Sequence, residues 1–198
     1  MRVVGGSYSG HKLAVPGQAR PTTDRVKESL FASLEAQGFI EDSVVVDLFA
    51  GSGALGIEAM SRGASRVMFV EKDKKSALVI SANLAKVGLE ANDDEVVVQV
   101  GLAQSWVKSE LATNFLTKRP EEHLSIVFCD PPYEFDDWAN LLELIATKLS
   151  CDLVVLESNR KISPTCHFEV MKMREYGTTV IEVLTDRRVG ESMRGGRV

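Results

Sequence analysis

Apolar residues fall into short unbroken runs along this chain, separated by segments in which they recur every three or four positions. Val44–Leu48, Arg66–Val70, Glu95–Val100, Ser125–Cys129 and Leu153–Glu157 have the length of strands. Between them, Ala54–Arg62, Lys74–Lys86, Ala103–Leu111 and Asp136–Leu149 show helical spacing, and Gly63 and Gly88 stop the first two. Apolar strands alternating with helices predict an α/β domain whose parallel sheet is covered on both faces. After Asn159 the alternation ends. His167–Arg174 and Thr178–Leu184, separated by Glu175-Tyr176-Gly177, predict an antiparallel hairpin that finishes the sheet.

Upstream, Arg2-Val3-Val4 and Lys12-Leu13-Ala14-Val15 flank a Gly-rich turn and predict a small hairpin, followed by loop from Pro16 to Pro21. Thr22 or Thr23 caps a helix starting at Asp24, with Val26, Leu30, Phe31 and Leu34 on one face and Gly38 at its end. The expected division is a hairpin-and-helix appendage over 1–38, the main domain over 39–185 and a mobile Gly/Arg-rich tail over 186–198. A long loop is expected around Thr113–Glu122.

Length and composition narrow the class. At 198 residues, 44% apolar and 26% charged, the chain can bury a sizeable core and is not of disordered type. No apolar stretch reaches the roughly 18 residues of a membrane helix, and the start lacks a signal peptide's apolar region, so a cytoplasmic protein is expected. Cys129, Cys151 and Cys166 read as reduced thiols, and His11, His123 and His167 have no metal-like spacing; no metal is expected. Net charge is −5, yet residues 1–38 sum to +2 and 160–198 to +3, against −10 for 39–159. Basic ends on an acidic body permit a phosphate-bearing partner without requiring one.

Two segments carry candidate chemistry. Asp47-Leu48-Phe49-Ala50-Gly51-Ser52-Gly53-Ala54-Leu55-Gly56 lies where the first strand turns into its helix, at the strand end where α/β sheets bind ligands. Its Gly51-x-Gly53-x-x-Gly56 spacing also fits a dinucleotide, so the glycines alone leave NAD open. Asp47 tilts the choice, because a carboxylate there repels a pyrophosphate but suits an aminoalkyl or sulfonium cation. Glu71, at the end of the second strand, can accept two ribose hydroxyls. Asp130-Pro131-Pro132-Tyr133 ends the fourth strand and offers a carboxylate, carbonyl acceptors and an aromatic face. Such a surface suits a planar ring bearing an amino group.

Arg2–Gly6, the block Arg20-Pro21-Thr22-Thr23-Asp24-Arg25-Val26-Lys27-Glu28-Ser29-Leu30-Phe31, the Asp47–Gly56 loop and Asp130–Tyr133 together resemble the RsmD-type methyltransferases. The resemblance runs from Arg2 to about Leu184, and the Arg20–Phe31 block is its specific part. It implies a Rossmann-like, class I S-adenosylmethionine-dependent methyltransferase fold, with a mostly parallel seven-stranded sheet and a reversed terminal hairpin. It also implies S-adenosyl-L-methionine as cofactor and methylation of the N2 of one guanine in bacterial 16S ribosomal RNA. Asp47, Phe49, Gly51, Ser52, Gly53, Glu71, Lys72, Leu102 and Ala103 are the expected cofactor contacts, and Asp130, Pro131, Pro132 and Tyr133 the guanine pocket. Leu102 departs from the acidic or amide residue that many such enzymes place near the adenine.

Arg2, Lys12, Arg20, Thr22, Arg25 and Lys27 are the expected RNA contacts, and the expected substrate is 16S ribosomal RNA in a small-subunit particle, bound by a monomer. The competing readings are an adenine-N6 or other planar-amine methyltransferase, an NAD-dependent oxidoreductase, and an RNA-binding assembly factor without turnover.

Overall fold

Val44–Asp47 (β1) is buried along its whole length, and the sheet grows outward from it on both sides. The computed structural model describes residues 1–17, 23–119, 122 and 124–187. In chain order the elements are α1 (Asp24–Ala36), β1, α2 (Ala54–Ser61), β2 (Arg66–Glu71), α3 (Lys74–Lys86), β3 (Val96–Val100), α4 (Ala103–Val107), α5 (Glu110–Thr117), β4 (Leu124–Cys129), α6 (Trp138–Lys148), β5 (Cys151–Ser158), β6 (Phe168–Tyr176) and β7 (Thr179–Asp186). The seven strands order as β3-β2-β1-β4-β5-β7-β6. β1 to β5 pair in parallel, while β7 runs antiparallel to both β5 and β6. The expected mostly parallel seven-stranded sheet with a reversed terminal hairpin is thus the observed one.

Strands with apolar residues on both faces need cover on both, and the helices provide it. One face carries α1, α2 and α3: Phe31, Ile57 and Ile80 pack with Val45, Phe69 and Phe128. The other carries α4, α5 and α6, through Trp106, Phe115, Trp138 and Leu142. Helix α1 is therefore part of the wall of the main core, with Phe31 fully buried and its ring centroid 5.7 Å from that of Phe128. Thr23 caps it, accepting from Val26 N–H at 3.4 Å. The N-terminal hairpin is reduced to one bridge, Arg2 with Lys12, flanked by Val3 N–H to His11 O at 3.0 Å.

Three expectations about local structure are corrected. The single helix Ala103–Leu111 is two helices, and the first half of the loop expected around Thr113–Glu122 is occupied by α5. Ser109 makes the break: its hydroxyl accepts from Ala112 N–H at 3.4 Å and so caps a new helix. Thr113, Asn114 and Thr117 are poor helix formers, and packing overrides them. Phe115 is buried beneath the Arg66 guanidinium, 4.4 Å from its ring centroid, and its carbonyl accepts from Arg66 at 2.7 Å. The closing hairpin also turns more tightly than the spacing suggested, because Gly177 at φ +62° lets Tyr176 pair directly with Thr179.

Candidate active site

The strand order reverses direction at β1, so the carboxyl ends of β1, β2 and β4 open on one crevice. Register places the three acids there. Asp47 pairs with Phe69 on β2 and with Phe128 on β4, so Glu71 and Asp130 each follow two positions beyond those partners. The two-residue period of a strand directs all three toward the same face at the same rim.

Asp47 is 1% exposed. Its Oδ2 accepts from Gly56 N–H in the first turn of α2 at 3.3 Å, while its buried Oδ1 has no hydrogen-bond partner. Burial, and secondarily the Glu71 charge, raise its carboxyl to about 7. An orphaned buried carboxylate oxygen calls for a cation. It also consumes a donor that a pyrophosphate would need at this helix start, so the site fits an aminoalkyl or sulfonium group better than a dinucleotide.

The glycines have separate tasks. Gly53 caps α2 in the left-handed region at φ +78°, where a side chain is strained. Gly56 lets the helix lie on the sheet: a Cβ there would stand 2.3 Å from Phe69 Cε1. Glu71 shapes the same turn, with Oε2 accepting from Gly51 N–H and Oε1 from Asp73 N–H, both at 2.8 Å. Each oxygen keeps a lone pair, which leaves room for a diol.

The remaining expected cofactor residues divide. Phe49 is half-buried, and its ring meets Phe135 edge-on at 5.4 Å, joining the glycine loop to the loop after β4. Leu102 is 57% exposed at the end of β3, beside an exposed Val100. Lys72 is exposed. Ser52 and Ala103 are buried; the Ser52 hydroxyl turns to the Met1 sulfur at 3.6 Å, and Ala103, the first residue of α4, packs in the core.

After β4, Asp130 is half-buried, Pro131 buried and Pro132 exposed. The Pro132 carbonyl accepts from Phe135 N–H at 2.8 Å, closing a turn that does not engage the Pro131 carbonyl. Tyr133 is held at both ends. Its hydroxyl pairs with Thr179 Oγ1 at 3.1 Å, and its carbonyl accepts from Arg160 Nη1 at 3.2 Å. Cys129, which precedes Asp130 in the chain, has its thiol pushed up by burial, then by Cys151, Asp47 and Asp130.

Among the expected RNA contacts, Arg2, Lys12 and Arg25 are exposed, and Arg2 pairs with Asp24 at 2.8 Å. Arg20 and Thr22 lie outside the described residues, as do 188–198 of the tail. Lys27 is corrected: it is fully buried, bonded to the Arg2 carbonyl and paired with buried Glu58 at 3.5 Å, so no phosphate reaches it. Glu58 also accepts from Val4 N–H, Gly5 N–H and Arg62 Nε, each at 2.8 Å. Among the described residues no group of three or more His, Cys, Asp or Glu is placed to hold a metal ion, and no helix is long and apolar enough to cross a membrane.

Three residues outside the expected set shape the site. Arg160 and Thr179 brace Tyr133, and buried Asn83 ties Ser52 O to both backbone groups of Ala14 at 2.8–2.9 Å. Arg160 stands two residues beyond the end of β5, near enough for the strand-end rule to have found it; Thr179 and Asn83 carry no comparable signal.

Comparisons with known proteins bear on the family and the fold. The family model described as Conserved hypothetical protein 95 matches residues 1–185. Ribosomal RNA small subunit methyltransferase D of Haemophilus influenzae is 39% identical over 166 residues, covering 82% of this chain and 76% of its own. The solved Escherichia coli yhhF protein superposes with a TM-score of 0.76 at 30% identity, over 94% of this chain and 97% of that one. A structure of SMU.776 complexed with SAH, at 14% identity and TM-score 0.62 over 82% of this chain and 48% of that one, shares the fold.

Proposed function

Because this chain belongs to the Conserved hypothetical protein 95 family, the family of the RsmD-type enzymes, we propose that it methylates the exocyclic N2 of a guanine in 16S ribosomal RNA. The coarser statement stands by itself: the chain is an S-adenosylmethionine-dependent methyltransferase of small-subunit ribosomal RNA. The observation that carries the finer reading is the rigid Asp130–Tyr133 turn, set on the same rim as the unsatisfied carboxylate of Asp47.

Each residue has a task that its geometry suits. The Gly51 and Gly53 backbone lets the cofactor lie close, Glu71 takes the ribose hydroxyls and Asp47 faces the cationic aminoalkyl end. Exposed Leu102 and Val100 give the adenine an apolar flank, with backbone groups left to recognise its amino group. When bound, the cofactor supplies an electrophilic methyl group on a sulfonium.

A guanine N2 lone pair is conjugated into the ring and is a poor nucleophile. Asp130 and the Pro131 carbonyl accept its two hydrogens, while the Tyr133 ring stacks on the base. These contacts bend the nitrogen toward tetrahedral geometry and aim its lone pair, and alignment of two bound reactants is where much of the rate gain arises. The proton lost after transfer passes to Asp130 or to water. Everting the base costs a few kcal/mol and stacking returns about 1–3. Phosphate contacts through Arg2, Lys12 and Arg25 make up the difference. A small-subunit particle as substrate, met in the cytoplasm, fits this reading.

The test is transfer of labelled methyl to small-subunit RNA and to intact particles, followed by identification of the nucleoside. N2-methylguanosine is expected, with turnover lowered about 100-fold or more in Asp130→Ala at unchanged cofactor affinity. N6-methyladenosine as product, or near wild-type turnover in that variant, refutes the assignment.

A further inference from the structure

Several cations of this protein are neutralised by a neighbouring carboxylate. Arg2 pairs with Asp24, Arg66 and Arg119 with Glu122, Lys118 with Asp94, and Lys161 with Glu175. Arg160 differs. It is exposed, and among the described residues no carboxylate lies within ion-pair distance of it. Its partners are neutral: Nη1 donates to Tyr133 O and to Asn159 Oδ1, each at 3.2 Å, and Nη2 donates to Phe135 O at 2.8 Å. Its backbone is anchored by buried Ser158, whose hydroxyl donates to the Arg160 carbonyl.

The guanidinium is thus pre-oriented without being discharged. Two carbonyls of the Asp130–Phe135 turn hold it at the lip of the proposed base pocket, and the Nε edge of its fork is not used by these contacts. Ordering a long side chain is the usual entropic penalty of an ionic contact, and here the loop has already met it. A planar fork with a full positive charge and an open edge is suited to a phosphodiester oxygen. A base seated over Tyr133 carries its own phosphates within reach of that lip.

We infer that Arg160 is an RNA-contact residue that binds the phosphate of the everted nucleotide, oriented by the same turn that receives the base; this rests on the function proposed above. The pocket and its phosphate anchor then form one hydrogen-bonded unit on β5 and the loop after β4. The N-terminal cations Arg2, Lys12 and Arg25 hold the RNA further away.

The experiment measures methyl transfer to small-subunit RNA across a salt series for the wild type, Arg160→Gln and Arg160→Lys, with cofactor affinity titrated in each as a check on folding. Arg160→Gln should raise KM for the RNA about tenfold and shrink the log–log salt slope by about 0.7–0.9, the loss of one phosphate contact. Arg160→Lys keeps the charge and should keep the slope, while losing kcat because the fork no longer holds the turn. A wild-type slope in Arg160→Gln overturns the inference alone, and so does a slope lost equally in Arg160→Lys. A wild-type protein that methylates no RNA overturns the proposed function and this inference together.

Discussion

Replacing Glu58 by alanine isolates what binds the N-terminal segment to the body. Glu58 is fully buried and, among the described residues, is the one ion-pair partner of the equally buried Lys27, whereas Arg62 also pairs with Glu28 at 3.6 Å and Glu35 at 2.5 Å. Glu58→Ala therefore leaves Arg62 compensated and Lys27 stranded. Burial already pulls the Lys27 ammonium below its ordinary range, with the Glu58 charge opposing. Without Glu58 the lysine can shed its proton, at about 1.4 kcal/mol per pH unit, or about 4 kcal/mol near pH 7.5. That agrees with the roughly 3–5 kcal/mol typical of breaking a buried pair. For a chain of this size the melting temperature should fall by about 6–20 °C.

The sign with pH separates this cause from a mere cavity. In the variant the folded lysine binds fewer protons than the unfolded one, so stability rises with pH, and the deficit shrinks as pH climbs from neutral toward about 10. Thermal unfolding followed by circular dichroism at several pH values reads both effects. Adding Lys27→Met should recover about 1–3 kcal/mol, because an apolar stem replaces the stranded charge. Lys27→Met by itself should leave the RNA salt slope unchanged. A melting point within about 2 °C of wild type, or a deficit that ignores pH, refutes the reasoning.

Other consequences follow from the crevice. With its carboxyl raised from 3.8 to about 7, Asp47 binds a proton more tightly in the folded state, so its contribution to stability declines as pH rises through that interval. Asp47→Asn should flatten that part of the stability curve. Cofactor affinity should rise over the same interval, by up to about tenfold per pH unit, as the carboxylate forms beside a cation; calorimetry giving a pH-independent affinity in the wild type counts against it. Gly56→Ala should cost about 1–3 kcal/mol by overpacking against Phe69 and Val67, which a Cβ would meet at 2.3 and 2.9 Å. Phe69→Leu should relieve part of that loss, and chemical denaturation of the single and double variants decides the matter.

Much of this molecule was written into local pattern. Runs such as Val44–Val46 and Ile126–Cys129 are apolar at successive positions, as a short strand covered on both faces requires, and their alternation with helical segments then implies a parallel sheet. Asp47, Glu71 and Asp130 could be placed on one rim because strand ends in such sheets lie together. The β6–β7 reversal followed from the lost alternation after Asn159. Helix α5 did not, because its polar composition is outweighed by the burial of Phe115 under Arg66 from β2.

Charge alone could not tell which cations face solvent. Lys27 stands among Arg25 and Glu28 in a polar stretch, yet helix phase turns it inward onto Glu58, a residue 31 positions away on α2. Arg160, Thr179 and Asn83 gain their importance from partners 27, 46 and 69 positions distant. Periodicity and strand-end residues are properties of neighbours in the chain and survive in the sequence alone. Burial of a charge and the bracing of a loop depend on which distant groups meet, and only the packed structure decides that.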